Sequence, residues 1–164
     1  MSNDVMTAKT TVDAAAEDVF AVLADPASHA AIDGTGWVRE PLDPAPLSAT
    51  GQIFEMAMYF DRPPDGHYQV ANRVIAFDPP RVIAWEPGQR NGSDIAFGGW
   101  TWRYDLVPLG TSRTEVTLTY DWSAVPGSIR EDISFPPFGQ DHLDNSLGHL
   151  ADLARLSRSG PPAR

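Results

Sequence analysis

The alternation of apolar and polar residues is sharpest in the second half of the chain. From Trp100 to Val107, the residues Trp100, Trp102, Tyr104 and Leu106 share one parity while Thr101, Arg103 and Asp105 share the other. This period of two sets one face of a strand against a core. Thr114 to Trp122 repeats it, with Val116, Leu118, Tyr120 and Trp122 opposite Glu115, Thr117, Thr119 and Asp121. On Ile53 to Phe60, Phe54, Met56, Met58 and Phe60 oppose Glu55. Tyr68 to Phe77 is less decided, because Tyr68, Val70, Asn72 and Val74 form one apolar-leaning parity and Ala71, Ile75 and Phe77 belong to the other. Here the Tyr68 and Asn72 parity is taken as the inward one. Val5 to Val12, Trp37 to Glu40 and Arg81 to Glu86 complete a set of seven strands. The clearer ones are separated by Asp-Arg-Pro-Pro-Asp-Gly, Asp-Pro-Pro, a Gly-rich stretch at 87–99 and Pro-Leu-Gly-Thr-Ser, and such short polar connections imply antiparallel neighbours.

Between these strands the period changes. Asp13 is placed to cap a helix over Ala14 to Ala24 whose buried stripe is Val19, Phe20, Val22 and Leu23. Asp25-Pro26-Ala27-Ser28 stops it and starts a second short helix reaching about Ile32, before Gly34 and Gly36 break the pattern. Pro41 to Gln52 reads as loop, since Pro41, Pro44 and Pro46 have no N–H to give a ladder. After a proline-marked segment from Ser123 to Pro137, Asp141 to Leu156 is helical: Leu143, Leu147, Leu150 and Ala154 fall within about 60° of one another on a helical wheel. Ser146 and Leu153 flank that stripe, and Asp141, Asn145, Asp152 and Arg155 lie opposite. The pattern predicts an α+β fold in which an amphipathic C-terminal helix covers the apolar face of an antiparallel sheet. One domain spans 1–157, and 158–164, with Gly160, Pro161 and Pro162, forms a flexible tail.

Composition narrows the function classes. The 164 residues suffice for one hydrophobic core, and 42% hydrophobic against 21% charged residues is too apolar for a disordered chain. A formal charge of −10, with arginines scattered singly and Lys9 the sole lysine, disfavours phosphate backbones and anionic lipid surfaces, so nucleic acid is not an expected partner. No cysteine is present, which excludes disulfides, thiolate nucleophiles and cysteine-held metals. Neither a secretion leader nor a stretch long enough to span a membrane is read from the sequence, and the expected location is cytoplasmic without integral membrane association. Asn91-Gly92-Ser93 matches a glycosylation sequon and is read here as turn chemistry.

An aromatic, apolar inner face serves either as a filled core or as the wall of a ligand cavity, and periodicity does not choose between them. If Asn72 faces inward, its amide needs a partner, supplied by the protein or by a ligand. Thr11-Val12-Asp13-Ala14, Glu17-Asp18-Val19-Phe20 and Leu23-Ala24-Asp25-Pro26 open the chain. Val74 through Asp78-Pro79-Pro80-Arg81 to Trp85 stands in the middle, and the strand pair Trp100 to Trp122 leads to the terminal helix. In this order the motifs resemble the START-like or SRPBCC superfamily, the helix-grip fold, in its polyketide cyclase/dehydrase-like branch. The resemblance covers nearly the whole chain. It implies a curved seven-stranded antiparallel sheet wrapped around the last helix, with two short helices after the first strand. It also implies a cavity that in relatives holds lipids, sterols, polyketides or hormones. Because the superfamily includes both enzymes and passive carriers, the fold leaves the function open.

The leading expectation is binding of a small hydrophobic molecule, without metal or cofactor, by Phe54, Met56, Met58, Tyr68, Asn72, Trp102, Tyr104, Leu118, Tyr120, His142, Leu143, Ser146 and Leu147. A cyclase, aromatase or dehydrase acting in the same cavity is the first alternative, with Tyr104, Tyr120, Tyr68 and His142 as candidate proton-moving groups. An interaction module with a filled core is the second. His142 and His149 lie about 10 Å apart along the terminal helix, too far for simple chelation of one metal, and His142, with Ser146 beside it, is a candidate general acid or base. His67 and His29 are expected to be solvated. No hydrolase, metalloprotease, phosphate-loop or dinucleotide motif is present.

Overall fold

The structure, a computed structural model, describes residues 4–33, 37–43, 45–59, 66–131 and 135–158, with side chains up to residue 155. The expectations at Gly34, Gly36, Pro44, Phe60, the turn residues 61–65 and the tail 159–164 lie outside the described residues.

In chain order the elements are β1 (Val5–Val12), α1 (Ala16–Leu23), a 3-10 turn (Pro26–Ser28), α2 (His29–Asp33), β2 (Val38–Pro41) and β3 (Ile53–Tyr59). Then follow β4 (His67–Asp78), β5 (Val82–Asn91), β6 (Asp94–Phe97), β7 (Thr101–Pro108), β8 (Thr114–Asp121), α3 (Gly127–Arg130) and α4 (Gln140–Arg158). The sheet runs β1-β8-β7-β5-β4-β3-β2 with antiparallel pairing between neighbours, as the short connections require. This is the helix-grip arrangement: the strands form one layer, and α4, with α1 and α2, covers its apolar face.

One strand more than the seven expected is present. The Gly-rich stretch at 87–99 is a hairpin rather than a loop: β5 continues to Asn91 and β6 returns along it, pairing Gly88 with Phe97 and Asn91 with Asp94. Gly92 turns the chain at φ +67, and at Gly88 a Cβ would come within 2.8 Å of the Ala96 carbonyl oxygen, so glycine here marks close strand approach and a tight turn rather than the end of the ladder.

A second difference explains the mixed pattern of the Tyr68 strand. Between Val74 and Ala76 the register with β5 shifts, so two residues of β4 oppose one of β5. Before the bulge Asn72 and Val74 point inward, as expected. After it Ile75 is exposed and Phe77 reaches the core, its ring 5.3 Å from that of Phe20. Both parities are therefore inward, on opposite sides of one bulge.

Asp13 is not the cap of α1. That helix begins at Ala16 with Ala15 as its N-cap and no side-chain cap bond, while Asp13 faces Arg113 at 3.5 Å. Ala14 is fully buried and its carbonyl accepts the hydroxyl hydrogen of Thr114 at 2.8 Å, which holds the chain extended past the expected start. Asp25 does cap the following turn, accepting from Ala27 N–H at 3.1 Å. On α4, Leu143, Leu147, Leu150 and Ala154 are at most 2% exposed, so the predicted stripe is the covering face. Burying three leucine side chains in this way contributes roughly 1.5–3 kcal/mol each to the sheet–helix union.

Candidate functional site

Three cross-strand neighbours build an aromatic row across the sheet: Trp85 pairs with Trp102, and Trp102 with Tyr120. The Trp102 and Tyr120 rings lie 4.5 Å apart, and Tyr120 continues to Trp122 at 5.6 Å. Phe138, in the segment leading into α4, adds a ring over this row at 5.6 Å from Trp102 and 4.9 Å from Tyr120. One turn further, His142 lies 4.6 Å from Phe138 and 6.1 Å from Trp102, and Trp37, at the entry to β2, closes the group at 6.3 Å from His142. Contacts of this kind are worth about 0.5–1.5 kcal/mol each beyond the area they bury.

Into this collar α2 sends a carboxylate. Oδ1 of Asp33 is 3.6 Å from Nε2 of His142, and each of the two side chains is only 10% exposed. The other oxygen, Oδ2, accepts from the Val38 backbone N–H at 3.4 Å, which ties the carboxylate to the first residue of β2. Burial pulls the His142 pKa below the ordinary imidazole value; the Asp33 charge opposes this and His149 adds to it. Tyr104 is pushed far above the ordinary phenol range by burial and by the Asp33 charge, and Tyr120 is raised by burial. Both phenols are therefore neutral hydrogen-bond donors throughout the physiological range.

The expected site residues divide into two groups. Trp102, Tyr104, Tyr120 and His142 converge with Leu118, Leu143 and Leu147 around the inner face, and Ser146 is buried one turn along α4 from His142. Phe54 and Asn72 lie one strand pair away. There the Asn72 side-chain N–H donates to the Phe54 carbonyl at 3.4 Å, a partner within the protein for its buried amide. Met56 is buried, while Met58 and Tyr68 face each other across β3 and β4 at a half-buried position next to β2.

The two histidines on α4 have separate tasks. His149 donates from Nδ1 to the Ile32 carbonyl at 3.0 Å, fastening the end of α2 and hence the position of Asp33. His29 corrects the expectation of solvation: it is 8% exposed, stacks on Trp85 at 5.0 Å, meets Phe54 edge-on at 5.6 Å and donates from Nε2 to the Leu23 carbonyl at 2.8 Å. The 3-10 turn swings it inward, and burial holds its pKa below the ordinary value. His67 is exposed, as expected, with its ring 4.9 Å from Tyr59.

Sequence reasoning missed Asp33, Trp37 and Phe138. Asp33 follows directly on the expected end of the second helix, and a lone acid before Gly34 carries no sign of a partner more than a hundred residues away. A hollow of about 510 Å³ opens elsewhere, along the β1 edge, between Val5, Met6, Thr7, Trp122, Pro136 and Gln140. Trp122 joins that hollow to the aromatic row through Tyr120.

The pattern of the family described as polyketide cyclase / dehydrase and lipid transport matches residues 4–155. The chain belongs to this family. An uncharacterised Mycobacterium tuberculosis protein, Rv0088, is 31% identical over 147 residues, covering 89% of this chain and 59% of its own length. The chain thus spans less than two-thirds of that relative. Among solved structures, protein MLL2253 from Mesorhizobium loti superposes with a TM-score of 0.62 at 14% identity, covering 96% of this chain and 99% of that one. Norcoclaurine synthase from Thalictrum flavum, in complex with dopamine and hydroxybenzaldehyde, superposes with a TM-score of 0.60 at 15% identity, covering 97% and 88%. At these identities the structural likeness establishes the shared fold. No helix among the described residues is long and apolar enough to cross a membrane.

Proposed function

We propose that this family member binds a small hydrophobic molecule carrying a polar group, seated between the sheet and α4 against Trp102, Tyr104, Tyr120, Phe138 and Leu143. The reading keeps Phe54, Met56, Met58, Tyr68, Asn72, Leu118, Ser146 and Leu147 as the further wall. It is carried by one observation, the Asp33–His142 pair enclosed by Trp37, Trp102 and Phe138. A core built for stability has no need of such a pair, because taking a carboxylate out of water costs several kcal/mol. Apolar and aromatic walls with a few convergent polar groups are the composition of a ligand site. Met56 and Met58, unbranched and adaptable, supply side chains that change rotamer to admit a guest. The family description names polyketides and lipids, and the ligands of the norcoclaurine synthase complex are small aromatics, which supports a guest of that size and polarity.

The neutral fluorophore N-phenyl-1-naphthylamine tests the reading. It is expected to bind saturably with one site per chain, and Trp102→Ala is expected to weaken it by roughly tenfold through loss of an aromatic wall. The outer-face change Val107→Ala is expected to leave it unaltered. Absence of saturable binding, or equal affinity in the Trp102 variant, would refute the assignment of this site.

A further inference from the structure

We propose that Asp33 and His142 are a general-base dyad, in which His142 removes a proton from carbon on a bound ligand and Asp33 is its positioning residue. This rests on the ligand-binding reading above. The geometry is that of a base held by a third group: Asp33 faces Nε2, so Nδ1 is the ring nitrogen left to meet a ligand, and no hydrogen bond to Nδ1 exists among the described residues. Asp33 is itself fixed from two sides, by the Val38 N–H and by the His149 bond to the neighbouring Ile32 carbonyl. The collar of Phe138, Trp102 and Trp37 presents a flat ligand to the imidazole.

The substrate class is a flat or aromatic carbon acid, with a C–H bond beside a carbonyl. In the step the C–H bond breaks, an N–H bond forms at Nδ1, and the released electron pair moves onto the carbonyl oxygen as an enolate. Return of the proton to another atom of the same molecule completes an isomerisation, with no oxidant, reductant or co-reactant. The titratable groups acting on His142 are Asp33 from α2 and His149 from its own helix; of the sheet's phenols, Tyr104 feels the Asp33 charge and Tyr120 lies beyond the Phe138 ring. Since both phenols stay neutral, the pH response is that of the His142 imidazole, with the Asp33 charge raising and His149 lowering its pKa.

The probe is 5-nitrobenzisoxazole, whose ring opens when a base takes the proton on C3 of the isoxazole: the C–H electron pair becomes part of a nitrile, the N–O bond breaks with its electrons going to oxygen, and the product is a coloured cyanophenolate. Its non-cleavable analogue 5-nitroindazole reports binding alone. The wild-type protein is expected to open the ring about 100-fold faster than His142→Gln, the two compared at saturation as judged by 5-nitroindazole binding to each. The rate is expected to rise with pH to a plateau, with a midpoint below the ordinary imidazole value of about 6.5. Asp33→Asn is expected to lower the plateau on the order of tenfold and to move the midpoint to lower pH, because the charge that raises the His142 pKa is gone. Equal rates in wild type and His142→Gln, or an unmoved midpoint in Asp33→Asn, would overturn the dyad while the binding reading stands. No saturable binding of 5-nitroindazole to the wild type would overturn both. If His142→Gln does not fold, the Asp33→Asn midpoint decides.

Discussion

Along α4, the side chains of Leu147, Leu150 and Ala154 present aliphatic carbon to the interior, while the turn that carries His142 meets a carboxylate and three aromatic rings. The same helix thus serves two purposes a few ångströms apart. At Leu147, Leu150 and Ala154 the buried atoms all gain from leaving water, so burial and stability rise together. In the aromatic half the rings gain but the carboxylate and the imidazole are held against their hydration, and the fold tolerates them because Val38 and the α2–α4 contacts fix their places. Tolerance of that kind is what a binding or acid–base site requires, and it separates the residues that hold the protein together from those proposed to act.

The largest expected effect breaks the aliphatic half. Leu150→Ala removes a fully buried side chain and is expected to cost about 2–5 kcal/mol in denaturant unfolding. Retention of the probe site in the surviving folded fraction would keep the two halves distinct. Equal loss of N-phenyl-1-naphthylamine affinity in Leu150→Ala and Trp102→Ala would merge them.

Acid sharpens the comparison more gently. His29 and His142 have folded pKa values below the unfolded value of about 6.5, so the unfolded chain takes up protons first as pH falls. Their stabilising effect is therefore complete above about pH 6.5 and is lost as pH falls from there toward the folded values. His29→Gln is expected to flatten this part of a stability–pH curve measured by denaturant unfolding, beyond any overall change in level. A curve of unchanged slope in both His29→Gln and His142→Gln would mean that neither buried imidazole governs it.

The smallest effect is expected on the outer face of the sheet. Lys9 and Glu115 approach to 3.9 Å with side chains 60% and 35% exposed. Lys9→Ala is expected to change stability by less than about 1 kcal/mol and ligand affinity not at all. A larger loss would show that the sheet's outer face contributes to the core, contrary to the division drawn along α4.

The strands β7 and β8 and the leucine stripe of α4 were legible in the sequence because each is a local period: every second residue on a strand, every third or fourth on a helix. Order and connection length then sufficed for antiparallel strands with a covering helix. The bulge at Ile75 defeated the parity of β4, since one unpaired residue reverses the facing of everything after it and leaves no trace in composition. The β5–β6 hairpin was hidden because Pro87, Gly88 and Gly92 read as breakers until a partner strand lies close beside them.

The site was legible only by halves. Trp102, Tyr104, Tyr120 and His142 announced themselves by their place in a periodic pattern, but such a pattern says which way a side chain points and not what it meets. Asp33 meets His142 across 109 residues of chain, a distance over which one sequence carries no pairing information. Sequence alone determined which surfaces are apolar. The tertiary structure decided that a carboxylate, an imidazole and three rings share one buried place, because that follows from how α2, α4 and the sheet pack and from no local preference of any of them.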